Sequence, residues 1–411
     1  MQQGLKNNQK QFWLLVLINA FVGSMVGLER SVLSGFGEAI FNIDGKTALL
    51  SFIMAFGISK AIANLLTGKL THYITRKQVL IIGWVAALPV PVLLMYASSW
   101  NWIIVANILL GINQGLAWSS TVIMKIDLVG EKDRGLAMGI NEFAGYLAVG
   151  VAAYLSAGIA DEKGFAFYPF VPGILFSVAG FILTLFFVKD TAAFVHQEAK
   201  ESRIPLFKNV WKASSYQHRN MGSVTINGLV NNLNDGIVWG LLPILLLQKD
   251  YSLQQVGIIA SIYPIVWGVG QLFTGKLGDL YCKKQLITAG MLLQAIALFI
   301  ITIAAAFWVD IIAMVLLGTG TALVYPNFLT VIAENTHPHQ RAQSMSIFRF
   351  WRDSGYVIGA VFSGIIADQF GIKAAFTAVA VLTAGAGLLA EVRMCCTTKM
   401  FWKSQVCREA V

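Results

Sequence analysis

GKLTHYITRKQVL, residues 68–80, returns 207 positions later as GKLGDLYCKKQLI, residues 275–287. The same offset carries LLG (109–111) onto LLG (316–318), Arg134 onto Arg341, and ADEKG (160–164) onto ADQFG (367–371). Four anchors at one offset across a hundred residues mark one structural unit used twice. Between the copies lies a polar stretch at 189–222 with six Lys or Arg against three acids, which reads as the linker.

Each unit is built of apolar blocks. Of the 411 residues 56% are hydrophobic and 12% charged, about half the charged share of a soluble domain. Such a chain cannot clothe itself for water, so its solvent is lipid. The blocks run near 12–36, 47–66, 78–97, 102–124, 136–159, 168–188, 223–247, 254–274, 286–307, 311–332, 343–366 and 373–392. Each is about 20 residues, the length of helix that crosses a bilayer core of roughly 30 Å. Alternating strand patterns are absent, which argues against a barrel. The first block is too long for a signal core and no small-residue cleavage site follows it, so it reads as a true span. The reading is an all-α membrane protein of twelve transmembrane helices in two six-helix bundles: 1–188, a central loop at 189–222, 223–393, and a tail at 394–411.

A net charge of +9 invites a nucleic-acid partner, but the placement of the charge excludes it. Of 30 Lys and Arg, Arg30, Lys60, Arg349 and Arg352 lie within spans, and only Lys46, Lys163, Lys249 and Lys373 lie on the side away from the termini. The other 22 share the side of the termini, which predicts both ends in the cytoplasm of an inner (plasma) membrane protein. Cys282, Cys395, Cys396 and Cys407 all fall on that reducing side, so no disulfide framework is expected. Cys395 and Cys396 read as free thiols of a tail, or as acylation sites in a eukaryote.

Two six-helix halves around a polar loop resemble the major facilitator superfamily over nearly the whole chain. That family carries G-x-x-x-D-[RK]-x-G-[RK]-[RK] between helices 2 and 3 and again between 8 and 9. The second copy here fits through Gly275, Asp279, Lys283 and Lys284, and the first through Gly68, Arg76 and Lys77, with His72 and Thr75 in place of the acid and the second glycine. The resemblance implies two bundles related by a pseudo-two-fold axis along the membrane normal. It also implies that Asp279 latches the halves in one state, a carboxylate set against a helix N-terminus. The plainer alternative for the basic residues is a topology signal alone. Arg134 and Arg341 take the place of a structural loop arginine.

Eight ionisable residues fall inside spans: Glu29, Arg30, Lys60, Glu142, Asp235, Arg349, Arg352 and Asp353. Isolated in lipid, each would cost about 2.5–3.5 kcal/mol, so together roughly 20–28 kcal/mol, more than a whole fold's stability of about 5–15 kcal/mol. They must pair with one another or face a wet cavity. Helical spacing groups the polar residues into stripes. One is Asn227, Asn231, Asn234 and Asp235, widened by Asn232; another is Asn107, Gln114, Trp118, Thr121 and Lys125. Arg349, Arg352 and Asp353 share a face, with Arg349 and Asp353 at i,i+4. Phe56, Lys60 and Asn64 align with Tyr263, Trp267 and Gln271 at the repeat offset. In the resembled fold helices 1, 4, 7 and 10 line the cavity, 2, 5, 8 and 11 flank it, and 3, 6, 9 and 12 face lipid. The stripes fall on the first two sets.

The working reading is proton-linked alternating access for a small polar organic solute, anionic or zwitterionic, by a monomer without cofactor or metal. Arg30, Lys60, Arg349 and Arg352 suit a carboxylate or phosphate. Asn113, Gln114, Trp118, Asn231, Asn232, Trp239, Trp267 and Tyr325 are the other candidate substrate residues. Glu29, Glu142, Asp235 and Asp353 are candidates for the proton, since burial disfavours a charged carboxylate and brings it within reach of neutral pH. The alternative for any of these charges is a structural ion pair that sets the register of the bundle. GLAMGINEFAGYLAVG (135–150) lacks the Gly-Pro of drug–proton antiporters, and VGLER (26–30) keeps only the last two residues of the E-x-x-E-R of peptide transporters. LLGTGTALVYP and FRFWRDSGY, in helices 10 and 11, resemble a group of bacterial facilitators of unassigned substrate. The remaining alternatives are a multidrug or metabolite exporter and, in another class, a non-transporting receptor or scaffold of this fold. No hydrolase or zinc-enzyme motif is present, and His337, His339 and Glu334 read as exposed loop residues rather than a metal site.

Overall fold

The computed structural model describes residues 4–70, 73–129, 134–191, 206–304, 306–396 and 399–403. Twelve helical spans follow the apolar blocks. They are α1 (Gln9–Phe41), α2 (Ser51–Leu70), α3 (Arg76–Met95), α4 (Trp100–Val129), α5 (Arg134–Lys163) and α6 (Tyr168–Phe187), then α7 (Arg219–Leu247), α8 (Leu253–Leu280), α9 (Lys283–Ile303), α10 (Phe307–Glu334), α11 (Pro338–Phe370) and α12 (Ile372–Arg393). Eleven of them are long and apolar enough to cross a membrane by composition alone. The twelfth, α11, carries Arg349, Arg352 and Asp353, and those charges are what lower its hydropathy.

Local chemistry sets the helix starts. Thr75 and Gln78 close a capping box at the head of α3, as Ser252 and Gln255 do at the head of α8. His218 caps α7 by accepting from the Met221 N–H, so that helix begins four residues before the expected 223. Burial presses the His218 pKa down, with the charge of Arg393 acting in the same direction. Pro243, Pro264 and Pro326 sit inside α7, α8 and α10, where each removes a backbone hydrogen bond.

The halves meet along two seams. In one, α2 and the helical turn before it run against α11, from Thr47 beside Gly364 through Gly57 beside Tyr356 to Gly68 beside Ser346. In the other, α5 runs against α8, from Gly150 beside Ile265 to Gly257 beside Ala157. On the face away from the termini, Ser34 Oγ donates to Gly240 O at 2.8 Å, joining α1 to α7. Asp368, at the end of α11, accepts there from the Lys46 N–H (2.5 Å), the Thr47 N–H (3.1 Å) and the Thr47 hydroxyl (2.7 Å). The first described residues lie on the end of α4, with Gly4 N–H on Leu128 O, and the tail lies on the end of α8, so both chain ends share one face.

Two expectations are corrected. Cys282 and Cys396 form a disulfide, with Cα atoms 5.4 Å apart. The reason is local: Tyr281 bridges Lys399 and the Cys282 N–H donates to Lys399 O at 2.8 Å, which brings the tail to bonding range of the α8–α9 turn. Tyr281 stacks on Phe401 at 4.2 Å, and Gln285 bonds Phe401 N–H and Trp402 O, so residues 399–403 are tied to the bundle. Second, α9 is not the plain lipid-facing helix its apolar sequence suggests. Gln294 is fully buried at its middle and accepts from Asn234 of α7. Of the expected lipid helices α6 is the most open, with 28% of its span buried against 89% for α7.

Two outcomes test this arrangement. In a digest without reductant the peptide carrying Cys282 should be joined to the one carrying Cys396, and that link should be absent from Cys396→Ser. Burial raises the Asp368 pKa, and the hydrogen bonds from Thr47 and Lys46 outweigh it, so the carboxyl is held below its ordinary 3.8. Its contribution is therefore present above that value and is lost only as the pH falls below it. Labelling of a Ser34→Cys reporter by an impermeant maleimide, taken at each pH relative to a free thiol in solution, should be flat from pH 5 to 8, and should rise severalfold when Asp368→Ala is added.

Candidate functional site

The charges predicted inside the membrane meet where the seams cross the middle of the bundle. Asp353 of α11 is the hub. Lys60 Nζ lies 3.2 Å from it and Arg352 Nη1 3.5 Å, while the amides of Asn64 and Asn232 also donate to it. Three helices, α2, α7 and α11, therefore converge on one carboxylate. Arg349 does not make the i,i+4 pair with Asp353 that its spacing suggests. It reaches across to α4, where Nη1 donates to Ser119 Oγ at 2.6 Å, and Ser119 donates in turn to Asn64 Oδ1. The Asp353 carboxylate lies across the seam toward Lys60 and Asn64 of α2, and those donors and Arg352 take the place of Arg349.

Beside the hub is a small cavity of about 20 Å³ lined by Lys60, Gln114, Trp118, Tyr146, Tyr325, Arg349 and Arg352, among others. Gln114–Trp118 form a π-turn within α4, a wider coil than the rest of that helix. Gly145 makes room for the Trp118 ring, because a Cβ there would stand 2.3 Å from it. Trp118 packs on Tyr146 at 5.1 Å, Tyr146 stacks on Trp267 across the seam at 3.5 Å, and Trp267 meets Tyr325 edge-on at 5.8 Å. The Arg352 guanidinium lies 4.4 Å over Tyr325. Arg30 is held between Phe56 at 4.7 Å and Trp239 at 4.2 Å. Among the described residues none of its three nitrogens has a hydrogen-bond acceptor, and Arg352 Nε and Nη2, Arg349 Nε and Trp267 Nε1 are buried without one.

The other acids differ in setting. Asp235 of α7 accepts from the hydroxyls of Tyr263 and Tyr356 (the latter at 3.4 Å) and has no ion-pair partner among the described residues. Glu142 accepts from Trp118 Nε1 at 2.9 Å and Asn141 Nδ2 at 3.0 Å. Glu29 is buried at the end of the first segment of α1, which breaks at Ser31–Val32, and neither of its oxygens accepts a hydrogen bond of good geometry.

The structure separates some of the candidate residues. Asn113 Nδ2 donates to Gly83 O of α3, and Asn113 does not line the cavity. Asn234 bonds Gln294 of α9 and Thr383 of α12, a structural tie. Asn231 is buried with both amide atoms unpartnered. Lys125 belongs with the intramembrane charges although its place at the end of an apolar block suggests a loop. It is fully buried, and its Nζ donates to Leu15 O at 3.2 Å. Its i+4 spacing from Thr121 was the signal. Of the loop residues, Arg76 pairs with Asp127 at 2.9 Å, Lys77 donates to Leu185 O, Lys283 pairs with Glu334 at 3.0 Å and Lys284 with Glu391 at 3.3 Å. These ties stay within one half. Gly275 has open space where a Cβ would stand. His72 and the side chains of Asp279, Arg134 and Arg341 lie outside the described residues.

Two homologous bundles around a charged, ring-lined centre define a polytopic membrane transporter rather than an enzyme. The Major Facilitator Superfamily profile matches residues 12–218 and 224–394, and the chain belongs to that superfamily. It is 23% identical to the multidrug resistance protein MdtG of Proteus mirabilis over 378 residues, 90% of this chain and 92% of that one. Other curated relatives align over 33% to 66% of their own length. Among solved structures, the human organic anion transporter MFSD10 superposes with a TM-score of 0.70 at 17% identity, covering 95% of this chain and all of that one. A POT family transporter in complex with a thioalcohol-conjugated peptide gives 0.73 at 13% identity, covering 93% and 96%.

If Asp353 holds the centre, Asp353→Ala leaves Lys60 and Arg352 buried without their acceptor and should cost about 3–5 kcal/mol. Replacing the pair together, Lys60→Met with Asp353→Leu, should recover only the part of that loss due to Lys60, because Arg352 still lacks its acceptor. Thermal unfolding of the purified variants in detergent measures both.

Proposed function

We propose that the protein is a proton-coupled secondary transporter, moving a small anionic or zwitterionic organic solute by alternating access of the two halves about the central cavity. The observation that carries this reading is the cavity's charge. Three cations line it, Lys60, Arg349 and Arg352, against one acid, Asp353, and N–H groups of both arginines lack partners. A carboxylate or phosphate supplies the missing acceptors. Asp235 is the coupling acid, because it is buried on tyrosine hydroxyls with no cation paired to it. Gaining a proton there need not break an ion pair. Asp353 serves instead as the bolt between α2 and α11, opened when solute draws Arg352 and Lys60 away. In this reading the protein works as a monomer in the inner membrane with both termini in the cytoplasm.

A second reading, proton-driven export of drugs, is favoured by the resemblance to MdtG and disfavoured by the excess of cations in the cavity. Uptake into proteoliposomes separates the two. Under an imposed proton gradient, Asp235→Asn should lose accumulation of an anionic solute by tenfold or more while keeping counterflow exchange. Undiminished accumulation by that variant would overturn the coupling assignment, and stabilisation of the protein by lipophilic cations alone would favour the exporter.

A further inference from the structure

The cavity does more than collect positive charge: its walls present ring faces, and its unpartnered donors lie beside them. We infer that the solute is a planar aromatic carboxylate whose ring slides between Tyr146 and Trp267 while its carboxylate takes the free N–H groups of Arg352 and Arg349. The inference rests on the anion reading above and narrows it.

Tyr146 belongs to the N-terminal half and Trp267 to the C-terminal half. Their rings stack at 3.5 Å and 28°, and both are buried. That is van der Waals contact between two flat faces, with no third layer between them. Alternating access requires the α5–α8 seam to part, and parting these rings exposes two facing π-surfaces to the cavity. A saturated ring fills the gap poorly, whereas a flat aromatic restores both contacts at the ordinary separation of stacked rings. Trp118 continues the same ladder on the α4 side, 5.1 Å from Tyr146, and Tyr325 closes it edge-on.

The anion seat adjoins the ladder. The Arg352 guanidinium is 6.0 Å from the centre of the Trp267 ring and 4.4 Å from that of Tyr325, so its plane and the ladder belong to one site. Its Nε and Nη2, with Arg349 Nε, are buried donors without acceptors. A group stacked against Trp267 with a carboxylate on its rim would meet those donors, and a bidentate carboxylate suits the planar fork of arginine. An aromatic cation would meet the same rings and be repelled by three positive side chains.

The test uses the full-length protein in detergent and three probes: 2-naphthoate, its decahydro analogue, and 2-naphthamide, with affinity read by calorimetry. Expected for the native protein is binding of 2-naphthoate at least tenfold tighter than of either other probe. The preference over the saturated acid should collapse toward unity in Tyr146→Leu and persist in Tyr146→Phe, which keeps the ring and controls for folding. Equal affinity for the two acids would overturn the aromatic inference and leave the anion reading standing. Amide bound as tightly as acid would overturn the anion reading itself, and failure of both acids to bind would overturn both.

Discussion

A carboxylate cannot stay charged at bilayer depth unless donors surround it, and Asp353 has four. Lys60 and Asn64 come from the first half, Asn232 and Arg352 from the second, so the need to satisfy one buried charge also joins the two bundles. Removing a single partner strands the others, while leaving the group open to solvent in another state restores its hydration. A hub of this kind therefore favours a closed centre without making it permanent. The chain of Arg349, Ser119 and Asn64 extends the same dependence to α4.

Around the hub the polar groups divide into two kinds. Some are engaged and structural, as Asn234 is between Gln294 and Thr383. Others are buried with capacity left over, as in the guanidinium edges of Arg30, Arg349 and Arg352 and the indole N–H of Trp267. Buried donors without acceptors are costly, and those of Arg349 and Arg352 beside the cavity are the ground of the proposed anion seat. The aromatic partners make the arrangement tolerable in its absence, because a cation over a ring face recovers part of what it loses on leaving water.

The far face and the termini face are held differently. Asp368 and Ser34 tie the halves together on the side away from the chain ends through a few short polar contacts. On the other side the tail is bound to its own half, by the Cys282–Cys396 bridge and the Tyr281–Phe401 stack. One arrangement joins the two halves, and the other ties the tail to one half.

By itself the sequence determined the membrane class, the twelve spans and the twofold repeat, because hydropathy and repetition are properties of local composition that tertiary structure only places. It also determined that the intramembrane charges had to gather, since no isolated arrangement is affordable in lipid. Which charge meets which was decided by the tertiary structure alone. Arg349 and Asp353 are ideally spaced on one helix, yet the crossing of α11 with α2 and α4 gives each a better partner elsewhere. The asparagines of α7 share a stripe by count, yet a helix packed on all sides sends them to different neighbours. The disulfide, the π-turn under Trp118 and the burial of Lys125 depend on how distant segments approach, and residue spacing along one helix carries no record of that.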